Sequence, residues 1–508
     1  MSNRKETALV AVLGIVIGAL AVLSADAIRS RKSLYNTQYQ NWRKLNLMLE
    51  QIDANYVDEV DRKTLTDAAV EAALAELDPH SVYLPPVERE ESEESLAAGF
   101  DGIGIQFNVP NDTAVVIESI AGGPAEKAGV LAGDRIVMVD TVNIAGIKYP
   151  QDSMVRRMKG PAGTKVKVTV RRDGEDIPFD ITRGKIPVHS VDAAFLSDDV
   201  HGYVRVSKFS RNTCKEFVLA VDGLIQQGMQ HLIVDLRDNS GGFFDQAILM
   251  SNLFLPKDSL IVYIEGRKRA REDFRADGNG LYKDLKMSVL INEGSASSSE
   301  IFAGAMQDNK RAQIVGRRSF GKGLVQEPIN FTDGSGMRLT VARFHTPSGR
   351  CIQKPYTEDY AYEVYKRYSG SEMVSRDSMM AQKGGILPDV FVPADTSRVN
   401  DFHLKLNRKA TAMRFASYYF DTHKELSQID TYDGLVDYLD NADLETKFLS
   451  FAASRDGIKP KKGEWESCKS YLMTQVRALV GRYSKLGDNA FHHLYLSIDD
   501  TYAAAIAQ

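Results

Sequence analysis

Cysteine is scarce in this chain. Its 508 residues hold three, Cys214, Cys351 and Cys468, with no metal-ligand spacing between them. That leaves neither a zinc site nor a disulfide framework supported. Because the first cysteine stands at 214, a lipoprotein anchor near the N-terminus is excluded. An excess of charge is also missing: 63 Lys and Arg against 68 Asp and Glu give −5, which points to no nucleic-acid partner. There is no obvious internal repeat and no coenzyme A signature. Long apolar runs are lacking too, with one exception. "TALVAVLGIVIGALAVLSA", Thr7 to Ala25, follows Arg4 and Lys5. Its length falls between a signal-peptide core and a membrane span of about 20 residues. Ala25-x-Ala27 suits a signal peptidase, but Asp26 and the length favour a retained anchor. Loop charge does not orient it, since Arg29, Arg31 and Lys32 balance Arg4 and Lys5.

What is present is a globular composition, 43% hydrophobic and 26% charged, in a chain long enough for two to four domains. Residues 1–33 read as the signal-anchor segment and 34–98 as a helical region. In 99–184 the texture changes to short strands and turns, "GIGIQFNV", "AVVIESI", "DRIVMVD" and "KVKVTVRRDG", around two helices. From 185 to 396 strands such as "HLIVDLR", "SLIVYIE", "MSVLIN" and "LVQEPINF" alternate with helices, which predicts an α/β core with a largely parallel sheet. Residues 397–508 read as helical again.

The stretch "NEGSASSSEIFAG", Asn292 to Gly304, carries serines at 295, 297, 298 and 299 ahead of an apolar run. Ser297 with Glu300 forms a capping-box pattern. The same position suits a nucleophile, because a helix N-terminus offers unpaired N–H groups and partial positive charge to an oxyanion. A nucleophilic serine needs a base. The nine histidines are poor candidates: His80 follows a turn proline, and His345 is the least bad of them. Lysine is the alternative. In "SFGKGLVQ", Lys322 lies between two glycines, near Phe320. Desolvation lowers a lysine pKa by penalising the charged form. From about 10.4 it must fall to roughly 7–8 to act as a base at neutral pH, about 4 kcal/mol of differential destabilisation. Gln326, four residues on, shares the face of Lys322 on a strand, where its amide can orient the amine.

These motifs resemble the C-terminal processing peptidases, or tail-specific proteases. Their signature is similar to SAS-x-SE followed by FGKG-x-VQ, with the lysine 25 residues after the nucleophile. The resemblance covers about residues 40–396 and includes "LDPHS" at 77–81, "DGIGI" at 101–105, "DLRDNSGG" at 235–242, "TPSGR" at 346–350 and "LPDV" at 387–390. It departs at Ser298, where alanine is usual. The resemblance implies a crotonase-like (ClpP-like) α/β core with an inserted PDZ domain, between helical N- and C-terminal regions. It implies a serine endopeptidase with Ser297 as nucleophile, Lys322 as base and Gln326 in support. The backbone of Ser298 with Gly241 or Gly242 would form the oxyanion hole. Asp308, eleven residues after Ser297, is offered as a supporting acid. Neither a cofactor nor a metal is implied.

"GFDGIGI" at 99–105 resembles the carboxylate-binding loop of PDZ domains, in which a peptide terminus is gripped while the chain adds as a strand. Gly102, Ile103, Gly104 and Ile105 would bind it, with Met154 or Val155 facing them. The expected partners are proteins with unstructured C-termini and, through the anchor, the cytoplasmic membrane of a bacterial envelope, with the catalytic part in the periplasm or extracytoplasmic space. A homo-oligomer or an adaptor stays open. Two other readings compete: an inactive PDZ scaffold, and crotonase-like acyl transfer.

Overall fold

The structure is a computed structural model. It describes residues 43–507 apart from 97–98, 110–111, 121, 132, 173, 357–359, 361, 363–364, 367–374, 382 and 396–398. The apolar stretch Thr7–Ala25 lies outside the described residues. Among the described residues no helix is long and apolar enough to cross a membrane. The expected location in the cytoplasmic membrane, which rested on that stretch alone, is therefore corrected: no described helix supplies the anchor it requires.

The chain divides into two compact units, residues 1–77 and 78–508. In the first, helix Arg62–Ala75 starts at Asp61, whose carboxylate accepts the N–H groups of Lys63 and Thr64. This is the ordinary way of satisfying helix-start donors. Asp78–Leu96, which follow the N-terminal helices in sequence, fold with the second unit.

Within the second unit, the 185–396 region holds two sheets where the sequence suggested one. The first has six strands in the order Val191–Leu196, His201–Val206, His231–Asp235, Lys286–Ile291, Gln313–Gly316 and Val390–Phe391. The first pair is antiparallel and the rest are parallel. Parallel neighbours require crossovers, and helices Thr213–Gln226, Phe244–Asn252 and Ser298–Asp308 supply them. Both faces are buried, so alternate residues go to opposite sides. Leu232, Val234, Val289 and Ile291 pack with the crossover helices. Ile233 and Leu290 pack against Leu496, Tyr502 and Ala505 of the C-terminal helices. Each fully buried side chain of this kind contributes about 1.5–3 kcal/mol.

The second sheet is antiparallel and runs Val82–Leu84, Gly336–His345, Leu260–Gly266, Arg269–Arg275, with Leu324–Asn330 also paired to Gly336–His345. Here "SLIVYIE" and "LVQEPINF" depart from the parallel expectation. Leu260–Gly266 turns straight back into Arg269–Arg275, and a two-residue connection allows only an antiparallel partner. A short apolar run does not say which sheet it joins.

Residues 105–182 form a separate six-stranded antiparallel sheet with helix Gln151–Met158 packed on it. Beyond residue 400 the chain is helical, around a core that includes Phe415, Phe448, Leu472 and Val476. The overall class is mixed α/β with a helical C-terminal region.

Candidate active site

Strand Lys286–Ile291 ends in a turn that delivers Ser297 to the start of helix Ser298–Asp308. Three of the four serines have structural tasks there. The Ser295 hydroxyl donates to Leu236 O (2.7 Å), that of Ser298 to Gly242 O (3.0 Å) and that of Ser299 to Asn239 O (2.9 Å). Ser297 opens onto a cleft of about 1220 Å³, also lined by His80, Gly241, Gly242, Ser298, Phe320, Lys322, Gln326 and Arg338, and among the described residues its hydroxyl is not committed to a backbone carbonyl. Its φ is +53° and its ψ −111°, a conformation that costs a non-glycine residue on the order of 1–3 kcal/mol and concentrates at functional sites.

The glutamate half of the expected capping box is made, and it reaches further than a cap. Glu300 is fully buried. Its Oε2 accepts the N–H of Ser297 (2.8 Å) and the N–H of Lys322 (2.9 Å). Oε1 accepts from the Ser319 hydroxyl (2.5 Å) and the Gly321 N–H (2.7 Å). One carboxylate thus ties the backbone of the serine to the loop that carries the lysine. Burial pushes its carboxyl up, against four donated hydrogen bonds that favour the charged form. The sequence presented Glu300 only as a cap.

Lys322 is half-buried beside glycines that permit close packing. A Cβ at Gly321 would come within 3.0 Å of Gly385 N, and one at Gly323 within 2.9 Å of Gln353 N. Burial holds the Lys322 amine below the usual lysine range. The Arg338 charge adds to this, while Asp78 and Glu300 oppose it. No hydrogen bond joins Ser297 to Lys322 in this arrangement, and apo sites are often looser than their substrate complexes. Gln326 lines the same cleft, but a register shift lies between Val325 and Gln326. Simple strand alternation from Lys322 therefore fails. Its Nε2 donates to His80 O (2.6 Å).

That bond brings in a segment the sequence reading had set aside. Asp78 accepts from the N–H groups of His80 and Ser81 (2.8 Å each) and from the Ser81 hydroxyl (2.7 Å). The turn it builds makes His80 a wall of the cleft. Burial, and then Lys322, lower the His80 pKa to about 4, so this imidazole is neutral at physiological pH. Its Nε2 is paired with the Tyr360 hydroxyl (2.9 Å). His345 is instead stacked on Tyr263 and does not line the cleft.

Around Ser297 the donors for an oxyanion narrow to two. Gly241 N–H is already given to Asn239 Oδ1 (2.9 Å), which corrects the expectation that either glycine could donate and leaves Gly242. Its role is steric: a Cβ there would lie 2.8 Å from Ser297 Cβ. Among the described residues, the N–H groups of Gly242 and Ser298 have no hydrogen-bond partner. Asp308 sits at the far end of the helix and accepts from Ser348 N–H (2.9 Å), the Ser348 hydroxyl (2.7 Å) and Arg350. It does not line the cleft, so a supporting role at Ser297 is corrected to a brace for "TPSGR".

In the 99–184 unit, Ile105–Asn108 is an edge strand. Among the described residues the N–H groups of Ile103 and Gly104 are unpaired, and Gly104 has φ +78°. Gly102 closes the preceding strand. The Ile103 and Met154 side chains belong to the unit's own core. Ile105 packs against the same core and is only partly buried.

Comparison with known proteins matches this arrangement. The model of peptidase family S41 matches residues 201–362 and that of the PDZ domain residues 102–182. The N-terminal domain of the activating protease CtpB matches 16–86, and a family of unknown function matches 402–484. The carboxy-terminal-processing protease of Bartonella bacilliformis is 36% identical over 72% of this chain and 85% of its own length. The carboxy-terminal processing protease CtpA of Bacillus subtilis is 34% identical over 68% and 74%. A solved structure, the photosystem II D1 C-terminal processing protease, is 29% identical over 69% of this chain and 87% of that one, with a TM-score of 0.38.

Proposed function

Because this chain belongs to the PDZ-containing, carboxy-terminal processing serine proteases of peptidase family S41, we propose that its nucleophile is Ser297 and its general base Lys322. The observation that carries this reading is the sharing of Glu300 Oε2 by the N–H groups of the two residues. A single buried acceptor that ties both to one cleft makes their separation insensitive to loop movement. The parallel sheet with its crossover helices supports a crotonase-like reading of the core.

In this mechanism the neutral Lys322 amine takes the Ser297 proton as Oγ bonds to the substrate carbonyl carbon. The oxygen of that carbonyl becomes an anion held by the N–H groups of Gly242 and Ser298. Its collapse breaks the C–N bond, and the Lys322 ammonium protonates the leaving amine. Water then gives a proton to Lys322 and attacks the acyl-enzyme, and the proton returns to Ser297 Oγ as the new C-terminus departs. Gln326, fixed on His80 O, lines the Lys322 side of the cleft and limits where the amine can swing.

The 99–184 unit supplies the address. Unpaired N–H groups at Ile103 and Gly104 suit a terminal carboxylate, and the open edge Ile105–Asn108 suits an added strand. Incubating the full chain with a peptide that ends in apolar residues, followed by mass spectrometry, tests the reading. Cleavage is expected, with none by Ser297→Ala or Lys322→Met. Full activity in either variant would overturn the dyad.

A further inference from the structure

A peptide gripped by its carboxylate at Ile103 and Gly104 and laid along Ile105–Asn108 has a determined exit. The strand has four residues, about 13 Å at 3.3 Å per residue, so the chain leaves the groove at Asn108. A cavity of about 620 Å³ lies there, lined on one side by Asn108, Val109 and Gln151 and on the other by Lys409, Met413 and Arg414 of the C-terminal helices. Its size is within the range of about 300–1,000 Å³ usual for ligand sites.

Direct contacts hold this second wall against the PDZ domain. Arg135 Nη2 pairs with Asp421 at 2.5 Å, and Gly133 lies against the side chains of Lys424 and Phe420, so the two surfaces meet directly. The wall has its own chemistry. Met413 is 46% exposed, a large apolar side chain facing a cavity. The Arg414 guanidinium is matched by Asp456, and Lys409 donates from Nζ to Asp456 O (3.0 Å), which leaves a net positive rim.

We propose that the C-terminal helices extend the PDZ groove, so that Met413 and Lys409 read the substrate segment just upstream of the residues paired with Ile105–Asn108. The proposal rests on the reading of the PDZ domain as the binder of protein C-termini. The occupant is substrate polypeptide in extended form, with an apolar side chain against Met413 and an acidic or neutral one near Lys409. It gives the helical region a task in substrate selection, separate from the chemistry at Ser297.

The test uses the full chain as Ser297→Ala, so that peptides survive, and two fluorescent peptides that share the same last five residues. One is five residues long and the other ten. By anisotropy the longer should bind about 10-fold tighter, the scale of one buried apolar side chain. Met413→Asp should remove that gain and leave the short peptide unchanged. Leu404→Asp, at an exposed position of the same region away from the cavity, should alter neither, and thermal melts check the fold of each variant. Equal affinity of the two peptides, or a Met413→Asp variant that binds the long one as before, overturns the inference while terminal capture stands. If neither peptide binds, or if amidating the terminus makes no difference, capture itself is lost and the inference with it.

Discussion

Arg237 and Asp499, 262 residues apart, meet through two hydrogen bonds, 2.9 Å from Nη1 and 2.6 Å from Nη2. The same guanidinium holds Asp235 at 2.6 Å. Burial alone would lower the arginine's pKa, but the two carboxylates hold it well above its ordinary value. Two residues further on, Asn239 fixes Gly241 N–H and accepts at its carbonyl from Ala296 N–H and the Ser299 hydroxyl, each at 2.9 Å. The last helix of the chain is thereby tied to the loop that faces Ser297.

Asp499→Asn keeps the side chain's size and its cap on the final helix, where the carboxylate accepts from Thr501 and Tyr502 N–H (3.0 Å each). It removes a charge from a buried guanidinium that still keeps Asp235. The expected loss is about 1–3 kcal/mol, below the full cost of breaking a buried pair. The catalytic rate should fall while KM changes little. Urea denaturation and steady-state kinetics check the two parts separately.

Lys322 should impose the acid-side limb of the activity profile. Its folded pKa is lowered by burial and by Arg338, so the neutral base appears as pH rises through a value below that of a free lysine. Arg338→Gln removes the repulsion, and the limb of kcat/KM should move to higher pH. The linked effect on stability has a definite sign. Below the folded pKa the desolvated charge is a full penalty, which fades as pH climbs toward the unfolded value. Lys322→Met should therefore be inactive and at least as stable as the parent at pH 7 by chemical denaturation.

Glu300→Gln tests the shared carboxylate. All four of its partners are donors, so the amide NH2 would face two of them. A buried donor left without an acceptor costs about 1–3 kcal/mol. The variant should lose about 2–4 kcal/mol and at least about tenfold in kcat, through displacement of the Ser297 and Lys322 backbones. Denaturation and kinetics together check it, and a variant as active as the parent would show that the tie is not needed.

Asp308→Ala should separate bracing from catalysis. Losing the contacts to Ser348 and Arg350 is expected to cost about 1–2 kcal/mol, with kcat within about threefold of the parent. A loss of a hundredfold or more with an unchanged fold would return this residue to the mechanism.

Much of the site was legible because its signals are local. Small residues around Ser297, glycines on both sides of Lys322 and a turn sequence at 239–242 each limit what their own backbone can do. Gln326 was legible for a reason that did not hold: the cleft takes it in, but through a register shift rather than alternation. His80 was passed over because a histidine after a turn proline carries no sign of what the turn will face. Asp308 misled because its distance along the helix says nothing about the loop beyond it.

Taken by itself, the order of residues determined the elements, the apolar faces and the local settings of Ser297 at a helix start and of Lys322 between glycines, since propensity and periodicity act within a few residues. Tertiary structure alone decided the division into two sheets, which glycine N–H stays open, the joint hold of Glu300 on two loops and the reach of Asp499 to Arg237. Those outcomes depend on which donor meets which acceptor once distant segments are packed, and each buried group has only the partners that packing brings to it.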